Sequence, residues 1–171
     1  MASGVNMPSP SPNRSIDGPR AASPLFLTEP EIRRGIELMH FAHARLMGAV
    51  DARLDEAGLG RAHQRALYFI ARRPGLPVGD LLALLGVTKQ SLGRTIDELK
   101  TRALVEVRAG ERDRRQRLLH LTADGALLER GLFDALSTQL ADAYSRAGQE
   151  AVGGFWAVLE GLAPPELVRR A

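Results

Sequence analysis

Gly86-Val-Thr-Lys-Gln-Ser-Leu-Gly-Arg-Thr-Ile-Asp-Glu-Leu-Lys-Thr-Arg-Ala-Leu-Val-Glu-Val-Arg-Ala-Gly-Glu-Arg-Asp-Arg-Arg-Gln-Arg-Leu-Leu-His-Leu-Thr-Ala-Asp-Gly125 is the stretch that decides the fold. It reads as a helix, a short strand, an arginine-studded loop and a return strand. Thr88 suits the N-cap of a helix over 89–102, because its hydroxyl can take up a free amide of the first turn. Leu92, Ile96, Leu99 and Ala103 follow at spacings of four, three and four, which makes a single apolar stripe. Gln90, Ser91, Arg94 and Thr95 are read as lying away from that stripe. Val105-Glu-Val-Arg108 alternates as a half-buried strand should. The polar run 109–116, which holds Gly110, reads as a hairpin loop, and 117–121 as the return strand. Thr122 then caps a new helix.

Working outward, Val78 to Leu85 predicts a short helix with Leu81, Leu82 and Leu85 inward. Gly86 fits the left-handed position that closes it. A helix over 61–72 is expected before that, stopped by Arg73-Pro74-Gly75, because proline cannot continue a helix. Thr28-Glu-Pro-Glu31 looks like the start of a long helix to about Glu56, with Pro30 in the first turn and two carboxylates at the positive dipole end. After the hairpin, a long helix from Thr122 to about Arg146 offers Leu127, Leu128, Leu132, Leu136 and Leu140 for packing. A last helix covers about 150–162 with Val152, Phe155, Trp156 and Leu159. The fold expected is mainly α with a small β-hairpin wing. Residues 1–27 read as a disordered tail, 28–162 as a single domain and 163–171 as a C-terminal tail. Within that domain, 61–121 form a winged helix-turn-helix, and 28–57 with 122–162 are the flanking long helices.

Composition excludes several classes of function. The 171 residues are 44% hydrophobic and only 5% aromatic, a globular composition that favours helices. There is no cysteine, so disulfides, thiolate metal sites and cysteine nucleophiles are ruled out. No apolar run approaches the ~20 residues that span a bilayer, and the first 24 residues lack the apolar core of a secretory signal. A cytoplasmic protein is the expectation. Phosphate-binding glycine loops, Gly-x-Ser-x-Gly and His-Glu-x-x-His are all absent, so no enzyme is expected. His40 and His43 have a spacing that a metal can use. Two ligands do not make a site, so neither a metal nor another cofactor is expected.

The net charge of +3 is unevenly placed. Lys89 to Arg117 holds nine basic and five acidic residues, so this segment is +4 and the remainder of the chain is −1. A basic segment on a near-neutral body suits contact with a polyanion. A helix with one anchored apolar face and one polar face fits the major groove of duplex DNA, where Gln90 and Arg94 can pair with purine edges, and Ser91 and Thr95 with bases or phosphates. An ordinary surface helix shows the same division. The short helix before it and the three-residue turn Gly86-Val87-Thr88 favour the groove reading. Arginines on a hairpin tip suit the negative minor groove. Asp113 among them repels DNA unless it holds an arginine or braces the hairpin against the groove-reading unit.

From Thr88 to Gly125 the sequence resembles the MarR family. The resemblance rests on Leu99-x-x-x-x-Leu104-Val105 entering the first wing strand, Asp113-Arg114-Arg115 as the D-x-R wing signature, and Leu121-Thr122-x-x-Gly125 opening the next helix. It covers about residues 25–162. Leu25-Phe26-Leu27-Thr28-Glu29, Gly58-Leu-Gly-Arg-Ala-His63 and Thr88-Lys89-Gln90-Ser91 are similar to a PetP-like subgroup. The resemblance implies a homodimeric transcriptional regulator that represses from a palindromic operator and is released by a small effector. It places Thr88, Lys89, Gln90, Ser91, Arg94 and Thr95 at the major groove, and Arg112, Asp113, Arg114 and Arg115 on the wing. Phe41, Met47, Tyr68, Phe69 and Trp156 are candidates to line an effector pocket. An effector-independent activator, an architectural DNA binder and a winged-helix protein-interaction module are the alternatives.

Overall fold

The computed structural model describes residues 27–111 and 113–165. Their element order is α1 Glu29–Glu56, α2 Arg61–Arg72, β1 Leu76–Pro77, α3 Val78–Leu85, α4 Lys89–Thr101, β2 Val105–Ala109, β3 Arg117–Leu121, α5 Ala123–Ala147 and α6 Gln149–Leu162. The chain divides into two compact units at Met39/His40. In the first, Thr28 opens α1 by donating from its backbone N–H (2.8 Å) and its hydroxyl (3.0 Å) to the Glu31 carboxylate. Those bonds hold the Glu31 carboxyl below its ordinary range. The expected disordered tail, apart from Leu27, and the final residues of the C-terminal tail lie outside the described residues.

The second unit contains the winged region. Gly86 closes α3 in the left-handed conformation (φ 61°, ψ 31°), and the Thr88 hydroxyl then caps α4 by accepting from the Ser91 N–H at 3.2 Å. The core joins Leu67 and Ile70 of α2, Leu81 of α3, Leu92, Ile96 and Leu99 of α4, Leu119 of β3 and Leu132 of α5, all no more than 3% exposed. Val50 and Leu54 of α1 complete it. α4 is therefore seated on a dry core by the stripe read from its sequence.

The sheet has one strand more than the expected hairpin. β2 and β3 pair antiparallel, with Val105 opposite Leu121 and Val107 opposite Leu119. β1 adds to the other edge of β3, with Leu76 opposite Leu119, giving the order β1-β3-β2. A two-residue strand shows no period, and Pro77 argues against one. Only the partner strand reveals it.

The junction between wing and α5 explains Leu121-Thr122-x-x-Gly125. The Thr122 hydroxyl donates to the Ala103 carbonyl (2.7 Å) and accepts from the Gly125 N–H (3.0 Å). The Thr122 N–H donates to the Leu104 carbonyl. A Cβ on Gly125 would lie 1.9 Å from that Leu104 oxygen, so only glycine lets α5 start against the end of α4. The wing is thus clamped at its base.

Candidate nucleic-acid interface

On the free side of α4, Thr88, Lys89, Gln90, Ser91 and Arg94 are exposed. Among the described residues, Lys89 and Arg94 have no ion-pair or hydrogen-bond partner for their charged groups. Two cations and the Gln90 amide therefore face solvent over the first two turns of a rigidly seated helix. Asp97 and Lys100 form a loose exposed pair at 3.6 Å further along.

Thr95 departs from the expectation. It is 8% exposed and its hydroxyl donates to the Ser91 carbonyl at 3.1 Å. Leu92, Thr95, Ile96 and Leu99 together form the buried face of α4, because position 95 lies next to 99 at the edge of that face on a 3.6-residue helix. Its hydroxyl is satisfied within the helix and is not offered to a groove.

The wing tip is a structured turn. The Asp113 carboxylate accepts from the Arg115 backbone N–H at 2.9 Å, and the Asp113 carbonyl accepts from the Gln116 N–H at 3.0 Å. Gly110 donates to the Gln116 carbonyl, and a Cβ there would lie 2.7 Å from the Asp113 carbonyl oxygen. Asp113 thus braces the hairpin by an Asx-type turn. That leaves the Arg114 and Arg115 side chains exposed and, among the described residues, without an ion-pair partner. Arg112 lies outside the described residues.

Two contacts missed by sequence reasoning tie α4 to the turn between α1 and α2. The Arg102 guanidinium donates to the Ala57 carbonyl at 2.7 Å and to the Gly58 carbonyl at 2.9 Å. His63 Nδ1 accepts from the Gly60 N–H at 3.0 Å. Its proton therefore sits on Nε2, which donates to Glu98 at 2.7 Å. A histidine three residues after a glycine break, and acid and base at the end of α4, were the only traces of this joint in the sequence.

A groove of about 450 Å³ lies along α2 and α5, lined by Gln64, Tyr68, Phe133, Leu136, Ser137, Leu140, Ala141 and Tyr144. Of the five residues expected to line an effector pocket, only Tyr68 borders it. Phe69 packs on the core, Met47 is half-buried, and Phe41 and Trp156 are 65% and 53% exposed. Aromatic identity alone did not reveal which helices face each other. Gln64, a polar residue one turn before Leu67 on the buried face of α2, was the legible signal. His40 stands edge-on to Phe41, and among the described residues no group of three or more His, Cys, Asp or Glu is placed to hold a metal ion. No helix among them is long and apolar enough to cross a membrane.

Comparisons agree with this architecture. Residues 57–116 match the family model described as MarR family. The chain is 49% identical over 145 residues to the HTH-type transcriptional regulator PetP of Rhodobacter capsulatus, covering 85% of this chain and 87% of that protein. Two solved structures share the fold. NadR in complex with 4-hydroxyphenylacetate has a TM-score of 0.65 at 22% identity, over 91% of this chain and 97% of that one. A mutant E. coli MarR complexed with operator DNA has a TM-score of 0.61 at 21% identity, over 78% and 96%. With a free polar helix face, a braced arginine wing and a relative of this identity over nearly its whole length, the chain belongs to the MarR family of transcriptional regulators.

Proposed function

We propose that the chain is a homodimeric repressor that occupies a two-fold symmetric operator. Gln90, Ser91 and Arg94 of α4 enter the major groove, with Thr88 and Lys89 at its rim, and Arg114 and Arg115 reach the minor groove or its phosphates. One observation carries the reading. Exposed cations without partners sit on both the free face of α4 and the braced wing, which is where a duplex supplies anions and base edges. The solved relative complexed with operator DNA supports a DNA partner.

Surface left uncovered supports the dimer. In the unit from His40 onward, Phe41, Leu127, Phe133, Phe155, Trp156, Val158, Leu159 and Leu162 are all at least 39% exposed, and α6 buries no residue. Ile32, Ile36, Leu38 and Met39 of the preceding unit are exposed as well. A second copy supplies the matching apolar surface, and a two-fold protein reads a two-fold site. Repression is by occupancy of a promoter, relieved when a small effector in the α2/α5 groove shifts the spacing of the two readers. The solved relative holding 4-hydroxyphenylacetate supports a small-molecule partner.

Selection from random duplexes with the purified full chain tests this. An enriched inverted repeat, bound with an affinity that falls steeply as salt rises, is the expected result. Placed over a reporter promoter, that repeat gives lower expression when the chain is present. Enrichment of no sequence, or a rise in expression, contradicts it.

A further inference from the structure

The ends of α1, α2 and α4 meet at one corner of the second unit. α1 closes there in a Schellman turn. The Leu59 N–H donates to the Leu54 carbonyl at 2.8 Å, the Gly58 N–H donates to the Asp55 carbonyl at 2.9 Å, and Gly58 is left-handed at φ 62°. The Ala57 and Gly58 carbonyls are left at the negative end of that helix. Both accept from the guanidinium of Arg102, the residue that closes α4. A Cβ on Gly58 would lie 3.1 Å from Arg102 Nη2, so glycine there serves both the turn and the guanidinium.

The first turn of α2 supplies a second tie. His63 Nδ1 accepts from the Gly60 N–H, and Nε2 donates to the Glu98 carboxylate of α4 at 2.7 Å. The Arg61–Asp51 ion pair, 2.7 Å long, braces the corner itself across the α1–α2 turn. Glu98 and Arg102, one helical turn apart, therefore fasten the C-terminal end of α4 to a braced corner. Being largely exposed, these ties add little to stability. What they add is direction. The apolar seat of α4 resists separation without fixing tilt, because burial is non-directional, whereas hydrogen bonds are angular. Gln90 stands twelve residues before Arg102, about 18 Å along the helix. A change of tilt of about 10° displaces one end against the other by about 3 Å, close to the ~3.4 Å rise of one base pair.

We propose that Arg102 and the His63–Glu98 pair are positioning residues that set the distance between the two α4 helices of the dimer, and so restrict it to inverted repeats of one half-site spacing. α1 carries Phe41, part of the exposed apolar surface that pairing covers. A tie from the end of that helix to the end of α4 passes the geometry of the pair on to the reading residues. This inference rests on the reading of the chain as a dimer on a two-fold operator.

The test measures the affinity of the full chain for the selected inverted repeat and for the same repeat with one base pair added to or removed from its centre. The unmodified protein is expected to prefer the selected spacing by at least about tenfold. Arg102→Met and Glu98→Ala are each expected to reduce that preference to about threefold or less, with circular dichroism and thermal midpoint little changed. The two substitutions alter net charge in opposite directions, so their effects on overall affinity oppose each other, whereas loss of the spacing preference is common to both. Glu98→Gln keeps an acceptor for His63 Nε2 and is expected to retain the preference. Variants that change affinity for every spacing by one common factor overturn the inference, as does Glu98→Gln behaving like Glu98→Ala. An unmodified protein that enriches an inverted repeat but binds all spacings alike overturns the inference and leaves the two-fold operator reading standing. One that enriches no inverted repeat overturns both.

Discussion

α4 and α6 are helices of nearly equal length, 13 and 14 residues, and they end in opposite states. α4 buries Leu92, Thr95, Ile96 and Leu99 within its own chain and leaves a polar, cationic face free. α6 carries Phe155, Trp156, Val158, Leu159 and Leu162 and buries none of them. The first helix is finished by intramolecular packing, and what it exposes suits a charged ligand. The second is unfinished, and what it exposes suits a like surface. The same chain thus carries water-facing charge at one place and water-facing apolar area at another.

The largest effect that sharpens this contrast is on α4's seat. Leu99 is fully buried, so Leu99→Ala is expected to cost about 2–5 kcal/mol by denaturant unfolding, through lost transfer energy and the cavity left behind. On α6, Val158→Asp is expected to act on association instead. Val158 is 60% exposed, so a carboxylate there is tolerated by one chain, whereas pairing buries it without a partner. The dimer dissociation constant is expected to rise roughly a hundredfold in sedimentation equilibrium. A fall in stability with no change in association breaks the contrast.

A smaller effect is expected at the free face of α4. Arg94→Ala should leave stability within about 0.5 kcal/mol, as surface changes do. It should cost about 1–3 kcal/mol of binding to the selected duplex if the guanidinium pairs with a base edge. Thr88→Ala removes the α4 cap and is expected to lower stability by about 1 kcal/mol. The smallest effect concerns Glu129 of α5, whose carboxyl is held above its ordinary range mainly by burial. A raised folded value means the folded state binds the proton more tightly. That contribution is complete below the unfolded value and is lost as pH rises through the folded one. Glu129→Gln is therefore expected to raise the thermal midpoint slightly at neutral pH and to leave it unchanged near pH 4.

Much of this was legible because caps punctuate the sequence. Gly86, Thr88 and Thr122 each fix an element boundary by a local hydrogen bond or a left-handed residue, so α3 ends, α4 begins and β3 ends as expected. Asp113 was expected to hold an arginine side chain or to brace the hairpin against α4; it holds the Arg115 backbone N–H within the hairpin tip instead. What remained hidden depends on contacts distant in sequence. β1 exists only because β3 has a free edge. The Arg102 and His63 joint needs the α1–α2 turn brought beside α4. Thr95 was misread because its polar hydroxyl masked a buried helical position.

In the proposed function, α4 and the wing act together as a reader of duplex DNA. The most direct measurement is the affinity of the Arg94→Ala/Arg115→Ala variant of the full chain for the selected inverted repeat, taken across a series of salt concentrations beside the unmodified protein. Loss of at least about a hundredfold in affinity, with a shallower dependence on salt, is the predicted result. Undiminished affinity with an unchanged salt dependence would contradict it.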